Sequence, residues 1–313
     1  MTTARAVGIV ERGGPEVLRV VEHEVRDPEA GEVRISVKAA AVNPTDVALR
    51  QRGAEGLPLP WVPGMDAAGV VESVGTGVER IGVGDEVMAA VSPRRPEGGA
   101  QSQLLIVPAA SVTPIPAGAS LEQAATLPMN GLTALRGLEL LDLHAGATLL
   151  VAGGAGLLAS YVIPLAKRAG LRVLADAGPA DEEFVRELGA DVVLPRGEGL
   201  VAAVRDAVPG GVDAVFDTAL LGRGLFPAIR AAGALVFVRT WDGEEVEDGI
   251  TIRPVWVGDV LEHTDWLQQL SDLAGQGVLA LRVAATFTPD RAADAHRQME
   301  AGGMRGRAVV VFD

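Results

Sequence analysis

The chain has 313 residues, 48% of them hydrophobic, which is enough for more than one core, since domains run to roughly 100–200 residues. Its 27 Lys and Arg against 41 Asp and Glu give a formal net charge of −14, and no basic run exceeds two residues, which argues against nucleic acid and anionic membrane surfaces as partners. With no cysteine and only four scattered histidines, disulfides, thiolate nucleophiles and cysteine-based zinc sites are excluded.

The N-terminal stretch "MTTARAVGIVERGG" has no long apolar run behind a basic region, and apolar runs elsewhere fall well short of the roughly 20 residues of a membrane span. A soluble cytoplasmic protein is the expectation. From residue 4 to about 120 the chain reads as short β runs, among them "ARAVGIVE", "VLRVVEHEV", "EVRISVKAAAV" and "AAGVVESVG", parted by Gly, Pro and Asp turns. This predicts an irregular β-barrel or sandwich.

After "PIPAGAS" the texture changes. Ser120 is placed to cap a helix that Pro128 must break or kink. Strands are then predicted at 148–152, 171–175, 191–194, 212–216 and 233–238, alternating with helices near 156–169, 180–188, 198–207 and 222–231. Such alternation is that of a doubly wound parallel sheet. In the tail, "RVAATFTP" and "RGRAVVVFD" flank a helix, so the last strands are expected to complete the first domain.

The segment "LLVAGGAGLLASYVIPLAKRAG" carries the most specific local signal. Gly154, Gly156 and Ala159 fit G-x-G-x-x-A directly after a strand, with Ala155, Leu157 and Leu158 in the free slots. The pattern gives a tight turn, a backbone that can approach a pyrophosphate, and a small residue for close helix packing. Asp176, twenty residues beyond Gly156 at the end of the next strand, is placed to bond a ribose 2′-hydroxyl. Pro164 falls two turns into the helix, beyond the amides that face phosphate, where a kink is expected. The plainer alternative is a glycine turn that closes an α/β unit without a ligand.

Six stretches in order, "AAAVNPTDVALRQRG", "PLPWVPGMDAAGVVESVGTGVERIGVGDEV", "AATLPMNGLTAL", "GGAGLLASYVIPLAKRAGLRV", "ELGADVVL" and "EAGGMRGRAVVV", together resemble the zinc-independent medium-chain dehydrogenase/reductase superfamily, in its quinone oxidoreductase branch. The resemblance implies an α/β protein. A GroES-like β-barrel domain would be built from both chain ends (1–120 and 275–313), and a Rossmann NAD(P)-binding domain with a doubly wound parallel sheet from 121–274. Zinc-dependent members carry Cys where this chain has Asn43 and Gly-His-Glu where it has Gly64, Met65 and Asp66. No zinc is therefore expected, and the implied chemistry is hydride transfer from NAD(P)H to a quinone or an α,β-unsaturated carbonyl.

The resemblance also implies site residues. Asn43 matches a position that contacts nicotinamide or substrate, and Thr133, near Asn130, matches a cofactor-contacting threonine. Val238, Arg239 and Thr240, with Trp241, follow a strand at the expected nicotinamide edge, and Arg305 matches a cofactor or domain-closing contact of the tail. Asp46 and Asp66 are expected to fix loops rather than move protons.

Departures bear on mechanism. The only tyrosine is Tyr161, inside the glycine-turn helix, so no loop tyrosine can protonate an enolate. Behind the second Rossmann strand, Gly178 offers only its backbone N–H, and Asp176, Asp181, Glu182 and Glu183 precede the first base, Arg186. Charge alone therefore favours NAD(H) and the resemblance NADP(H), so the preference stays open. The principal expectation is a quinone or enone reductase acting as a homodimer, paired through "TIRPVWVGDV" beside the acidic loop 241–249. The alternatives are a non-redox cyclase, isomerase or ligand-binding protein reusing the fold with a weakened cofactor site, and, more distantly, a purely structural role.

Overall fold

The computed structural model describes residues 2–241 and 249–313, so most of the acidic loop at 241–249 lies outside the described residues. The chain divides into two compact units, one of residues 1–129 and 258–313, the other of residues 130–257.

The first unit begins with β1 (Thr2–Ile9), paired antiparallel with β2 (Leu18–Val25). Then come β3 (Glu32–Ala41), α1 (Pro44–Arg52), β4 (Asp66–Val74), β5 (Glu86–Ala90), β6 (Leu104–Pro108), β7 (Val112–Pro114) and the short α2 (Leu121–Ala124). In β3 the alternate residues Val33, Ile35 and Val37 enter one apolar cluster, which is what a strand with period-2 side chains must do when one face is buried. Ser120 caps α2 through the Gln123 amide, and the helix expected to break at Pro128 restarts there as α3 (Pro128–Leu141), where a missing N–H costs nothing.

The second unit is a six-stranded parallel sheet. Its elements are β8 (Thr148–Ala152), α4 (Leu157–Arg168), β9 (Arg172–Ala177), α5 (Glu182–Glu187), β10 (Val192–Pro195), α6 (Leu200–Ala207), β11 (Val212–Asp217), β12 (Ile229–Phe237) and β13 (Thr251–Pro254). The strand order is β10-β9-β8-β11-β12-β13, so the winding reverses between β8 and β11. Ligands of such sheets bind beyond the strands' carboxyl ends at that reversal. Every residue of β8 is buried, as expected of a strand covered on both faces. Pro164 is accommodated inside a continuous α4, whose residues Ala159 to Ala166 are all buried.

One predicted element differs. The helix expected at 222–231 is a 3-10 segment, Gly222–Ala228, and β12 already begins at Ile229. Gly222 has φ +56°, Gly224 lacks a side chain to restrict it, and Pro227 has no N–H, so the segment cannot sustain an α-helix.

The chain then returns to the first unit with α7 (Thr264–Gly275), β14 (Val283–Phe287), α8 (Ala292–Ala301) and β15 (Arg307–Val311). α7 is pinned by Thr264 Oγ1 donating to the Ala110 carbonyl and Ser271 Oγ to that of Pro114, both at 2.8 Å. β15 pairs antiparallel with β3, Val309 opposite Ala41, and β14 pairs with β15, giving the order β14-β15-β3-β4-β5-β7 with β6 also on β3. Strands from both chain ends thus share one sheet. No helix among the described residues is long and apolar enough to cross a membrane.

Candidate functional site

In the second unit the glycine turn joins β8 to α4. Gly153 has φ +86°, a conformation only glycine adopts at low cost, and a Cβ there would meet Thr218 Oγ1 at 2.7 Å. A Cβ on Gly154 would lie 2.7 Å from the Asp176 carbonyl oxygen, so this residue must be small for β8 and β9 to approach. At Gly156 the situation is different: its φ is −68°, and a Cβ would touch only the Gly153 carbonyl, at 3.1 Å. This glycine keeps space clear rather than permitting a turn.

Gly156 is also the N-cap of α4, and no side chain caps the helix. The amides of Leu157, Leu158 and Ala159 have no acceptor within the helix, and they sit at the positive end of its dipole. An open glycine cradle before an uncapped twelve-residue helix is suited to an anion. The residues present therefore fit a dinucleotide pyrophosphate, which the amides of Leu157 and Leu158 would hold; the Gly156 amide itself donates to the Gly153 carbonyl at 2.8 Å, and Gly156 contributes the absence of a side chain.

Asp176 is engaged inside the protein. Its Oδ1 accepts from the Gly153 amide at 2.5 Å and its Oδ2 from Arg196 Nε at 2.8 Å, with the side chain 3% exposed. The carboxylate thus ties β9 to the first glycine of the turn. Arg196, just past β10, is absent from the sequence expectations. Gly178, half-buried, follows β9.

Beyond β11 and β12, Asp217 accepts from the amides of Ala219 and Gly222 and so closes the turn after its own strand. Val238 is half-buried and Arg239 and Thr240 are exposed immediately after β12, at the sheet's carboxyl edge. Trp241 packs edge-on against Phe237, with centroids 5.2 Å apart, and lies 5.9 Å from Phe226. Thr133 and Asn130 are buried in α3.

In the first unit a buried polar cluster surrounds Asn43, which precedes the first residue of α1. Asp46 accepts from the Asn43 amide through Oδ2 and from the Gly64 amide through Oδ1, both at 2.8 Å. Asn43 Nδ2 donates to Asp66 Oδ2 at 2.6 Å, and Asp66 Oδ1 accepts from the Met129 amide at 2.6 Å. Arg307 Nε donates to Asn43 Oδ1 at 2.8 Å. The Asn43 amide is therefore locked in one orientation, oxygen toward a cation and nitrogen toward a carboxylate. Asn43, Asp46 and Asp66 are all fully buried.

Burial pushes the Asp46 carboxyl up to about 7 and Asp66 up to about 6, while the N–H bonds each accepts and the charge of Arg307 pull the other way. Among the described residues no group of three His, Cys, Asp or Glu side chains is placed to share a metal ion. Arg305, expected at the site, is exposed and donates to the Gly303 carbonyl at 3.2 Å, whereas Arg307, two residues on, reaches Asn43.

Residues 29–117 match the alcohol dehydrogenase GroES-like domain family, and residues 188–310 match the zinc-binding dehydrogenase family. The chain is 33% identical over 310 residues to the NADPH-dependent alkenal/one oxidoreductase, chloroplastic, of Arabidopsis thaliana, covering 95% of this chain and 77% of that protein. It is 29% identical over 317 residues to the 2-methylene-furan-3-one reductase of Solanum lycopersicum, covering 98% of this chain and 78% of that protein. Among solved structures it is similar to the quinone oxidoreductase of Pseudomonas syringae, with TM-score 0.85 and 25% identity over 99% of this chain and 100% of that one. A mycobacterial protein complexed with NADPH aligns with TM-score 0.85 and 27% identity over 98% of this chain and 100% of that one.

Proposed function

Because the chain belongs to the medium-chain dehydrogenase/reductase superfamily, we propose that it is a nicotinamide-dependent oxidoreductase that reduces a quinone or the carbon–carbon double bond of an α,β-unsaturated carbonyl. The observation that carries this reading is the open cradle at Gly156 before the uncapped start of α4. Relatives named as an NADPH-dependent alkenal/one oxidoreductase and as quinone oxidoreductases support it.

When bound, the nicotinamide supplies the hydride. The chain's own residues do the rest. The amides of Leu157 and Leu158 would hold the pyrophosphate where Gly156 lacks a side chain, and we assign Val238, Arg239 and Thr240, at the carboxyl edge of β12, to the nicotinamide end. From the family pattern Thr133 is assigned to cofactor contact and Asn43 to contact with nicotinamide or substrate. Asn43, with its amide fixed by Arg307 and Asp66, is a preorganised polar group, and preorganised dipoles stabilise developing charge without reorganising. We assign the proton that completes enone reduction to solvent, because Tyr161, the sole tyrosine, is buried within α4. The exposed Trp256 and the edge strand β13 support a homodimer paired along that edge, which light scattering would test by returning twice the chain mass.

The direct test is titration of the protein with NADPH and NADH by intrinsic fluorescence and thermal shift, followed by loss of 340 nm absorbance with 1,4-benzoquinone or a short alkenal. Binding of at least one cofactor and turnover of at least one acceptor are expected. No binding of either cofactor at millimolar concentration would remove the reading.

A further inference from the structure

The acidic stretch after β9 argues for NAD(H), yet Asp176 is not available as the stretch suggests. Its two oxygens lie on the Gly153 amide and on Arg196, and its side chain is nearly inaccessible. A ribose hydroxyl would have to displace part of the link that shapes the glycine turn.

Arg196 stands at the same edge. Pro195 pairs with Ala177 across β10 and β9, and the Arg196 amide donates to the Ala177 carbonyl at 3.1 Å, so Arg196 and the end of β9 are neighbours. Nε is turned to Asp176, while the side chain remains 45% exposed. Among the described residues Nη1 and Nη2 have no hydrogen-bond partner. A guanidinium has five N–H donors in a rigid fork suited to phosphate. Here one donor is used to fix the fork's direction, and the outer ones are presented at the edge where the adenosine ribose of a Rossmann ligand lies.

The local charge is therefore not simply acidic. Asp176 is neutralised by Arg196; Asp181 is buried, and Glu182 and Glu183 are exposed at the start of α5. Resting on the nicotinamide reading above, we infer that Arg196, anchored by Asp176, is the 2′-phosphate ligand that makes this chain select NADP(H) over NAD(H). Asp176 positions it and does not itself contact the ribose. This assigns opposite roles to the two residues from those a carboxylate at the end of the second strand suggests.

The test uses the full chain and calorimetric binding of 2′,5′-ADP and 5′-AMP, which differ only in the 2′-phosphate, alongside NADPH and NADH. Wild type is expected to bind 2′,5′-ADP and NADPH more tightly than their counterparts. Arg196→Gln should weaken 2′,5′-ADP about tenfold or more, as loss of a charge-assisted bidentate contact does, and leave 5′-AMP within about twofold. Arg196→Lys should fall between. Because Arg196→Gln leaves a buried carboxylate unpaired, the double variant Asp176→Asn/Arg196→Gln is measured as well. Its amide oxygen still accepts from Gly153, and it should show the same selective loss with a melting temperature near wild type. If the wild type binds the mononucleotides equally, or the variants leave their ratio unchanged, the assignment of Arg196 is overturned while the nicotinamide reading stands. Failure of all four ligands to bind wild type overturns both.

Discussion

Arg307 Nε lies 2.8 Å from Asn43 Oδ1, so the residue that opens the last strand fixes the amide of the residue that precedes the first helix. The contact spans nearly the whole chain and continues through Asn43 Nδ2 to Asp66 and on to the Met129 amide. Removing the cation frees one end of a fully buried side chain. Arg307→Met is therefore expected to lower kcat about tenfold, equivalent to about 1.4 kcal/mol of lost orientation, with a smaller change in KM. Arg307→Lys should recover part of it. Steady-state kinetics with saturating cofactor check this, and an equal effect on KM and kcat in both variants would assign Arg307 to folding alone.

Asp46 makes stability depend on pH in a direction opposite to most paired carboxylates. Its pKa in the fold is about 7, against an ordinary 3.8, because burial outweighs the Asn43 and Gly64 N–H bonds. A group with a raised folded pKa contributes stability that is fully present below 3.8 and is lost as pH rises through about 7. The substitution Asp46→Asn removes the titration and one of the two accepted bonds. Its destabilisation should be larger at pH 5 than at pH 8, measured as urea midpoints with equal slopes. A penalty independent of pH would show that Asp46 is ionised throughout.

The two glycines of the turn separate folding from binding. A side chain at Gly154 collides with the Asp176 backbone, whereas one at Gly156 meets only the Gly153 carbonyl oxygen, at 3.1 Å, in front of α4. Gly154→Val should lower the melting temperature by many degrees, since strands β8 and β9 must part. With Gly156→Val the melting temperature should stay near wild type while NADPH affinity falls at least tenfold, or about 1.4 kcal/mol. Thermal melts with and without NADPH distinguish the two, and undiminished affinity in Gly156→Val would place the pyrophosphate elsewhere.

These cases show what the sequence could carry. The glycine turn and the alternation of strands and helices are local patterns, and the structure places them where spacing puts them. Pro128 and Pro164 illustrate the limit of local rules. The first opens α3 and the second lies inside an unbroken α4, because burial of the surrounding residues outweighs one lost hydrogen bond. At 222–231 the reverse held, and Gly222 and Pro227 overrode the helical reading. Arg196 and Arg307 escaped because their partners lie 20 and 264 residues away, distances at which no periodicity speaks. Only the position of Arg196 after a parallel strand could have marked it.

A third buried arrangement of the same kind joins α1 to α8. Arg50 is wholly buried. It donates through Nε to the Gly13 carbonyl at 3.0 Å, lies through Nη1 3.1 Å from His296 Nδ1, and donates through Nη2 to Glu300 Oε1 at 2.6 Å. Since arginine only donates, Nδ1 must accept, and the imidazole is the neutral Nε2–H tautomer. Burial and then the charge of Arg50 push the His296 pKa down to about 3. A histidine depressed from 6.5 contributes stability present above 6.5 and lost as pH falls toward about 3. His296→Leu should therefore flatten the acid limb of the stability profile, opposite in sign to Asp46→Asn. Arg50→Met leaves the Gly13 carbonyl and His296 Nδ1 without their donor, while the exposed Glu300 is hydrated, and should cost about 1–3 kcal/mol, the scale for buried polar groups left unpaired. Imidazole resonances followed by NMR should show no His296 titration between pH 5 and 8 in the wild type, and a midpoint near 6.5 there would dismiss the neutral tautomer as the basis of this contact.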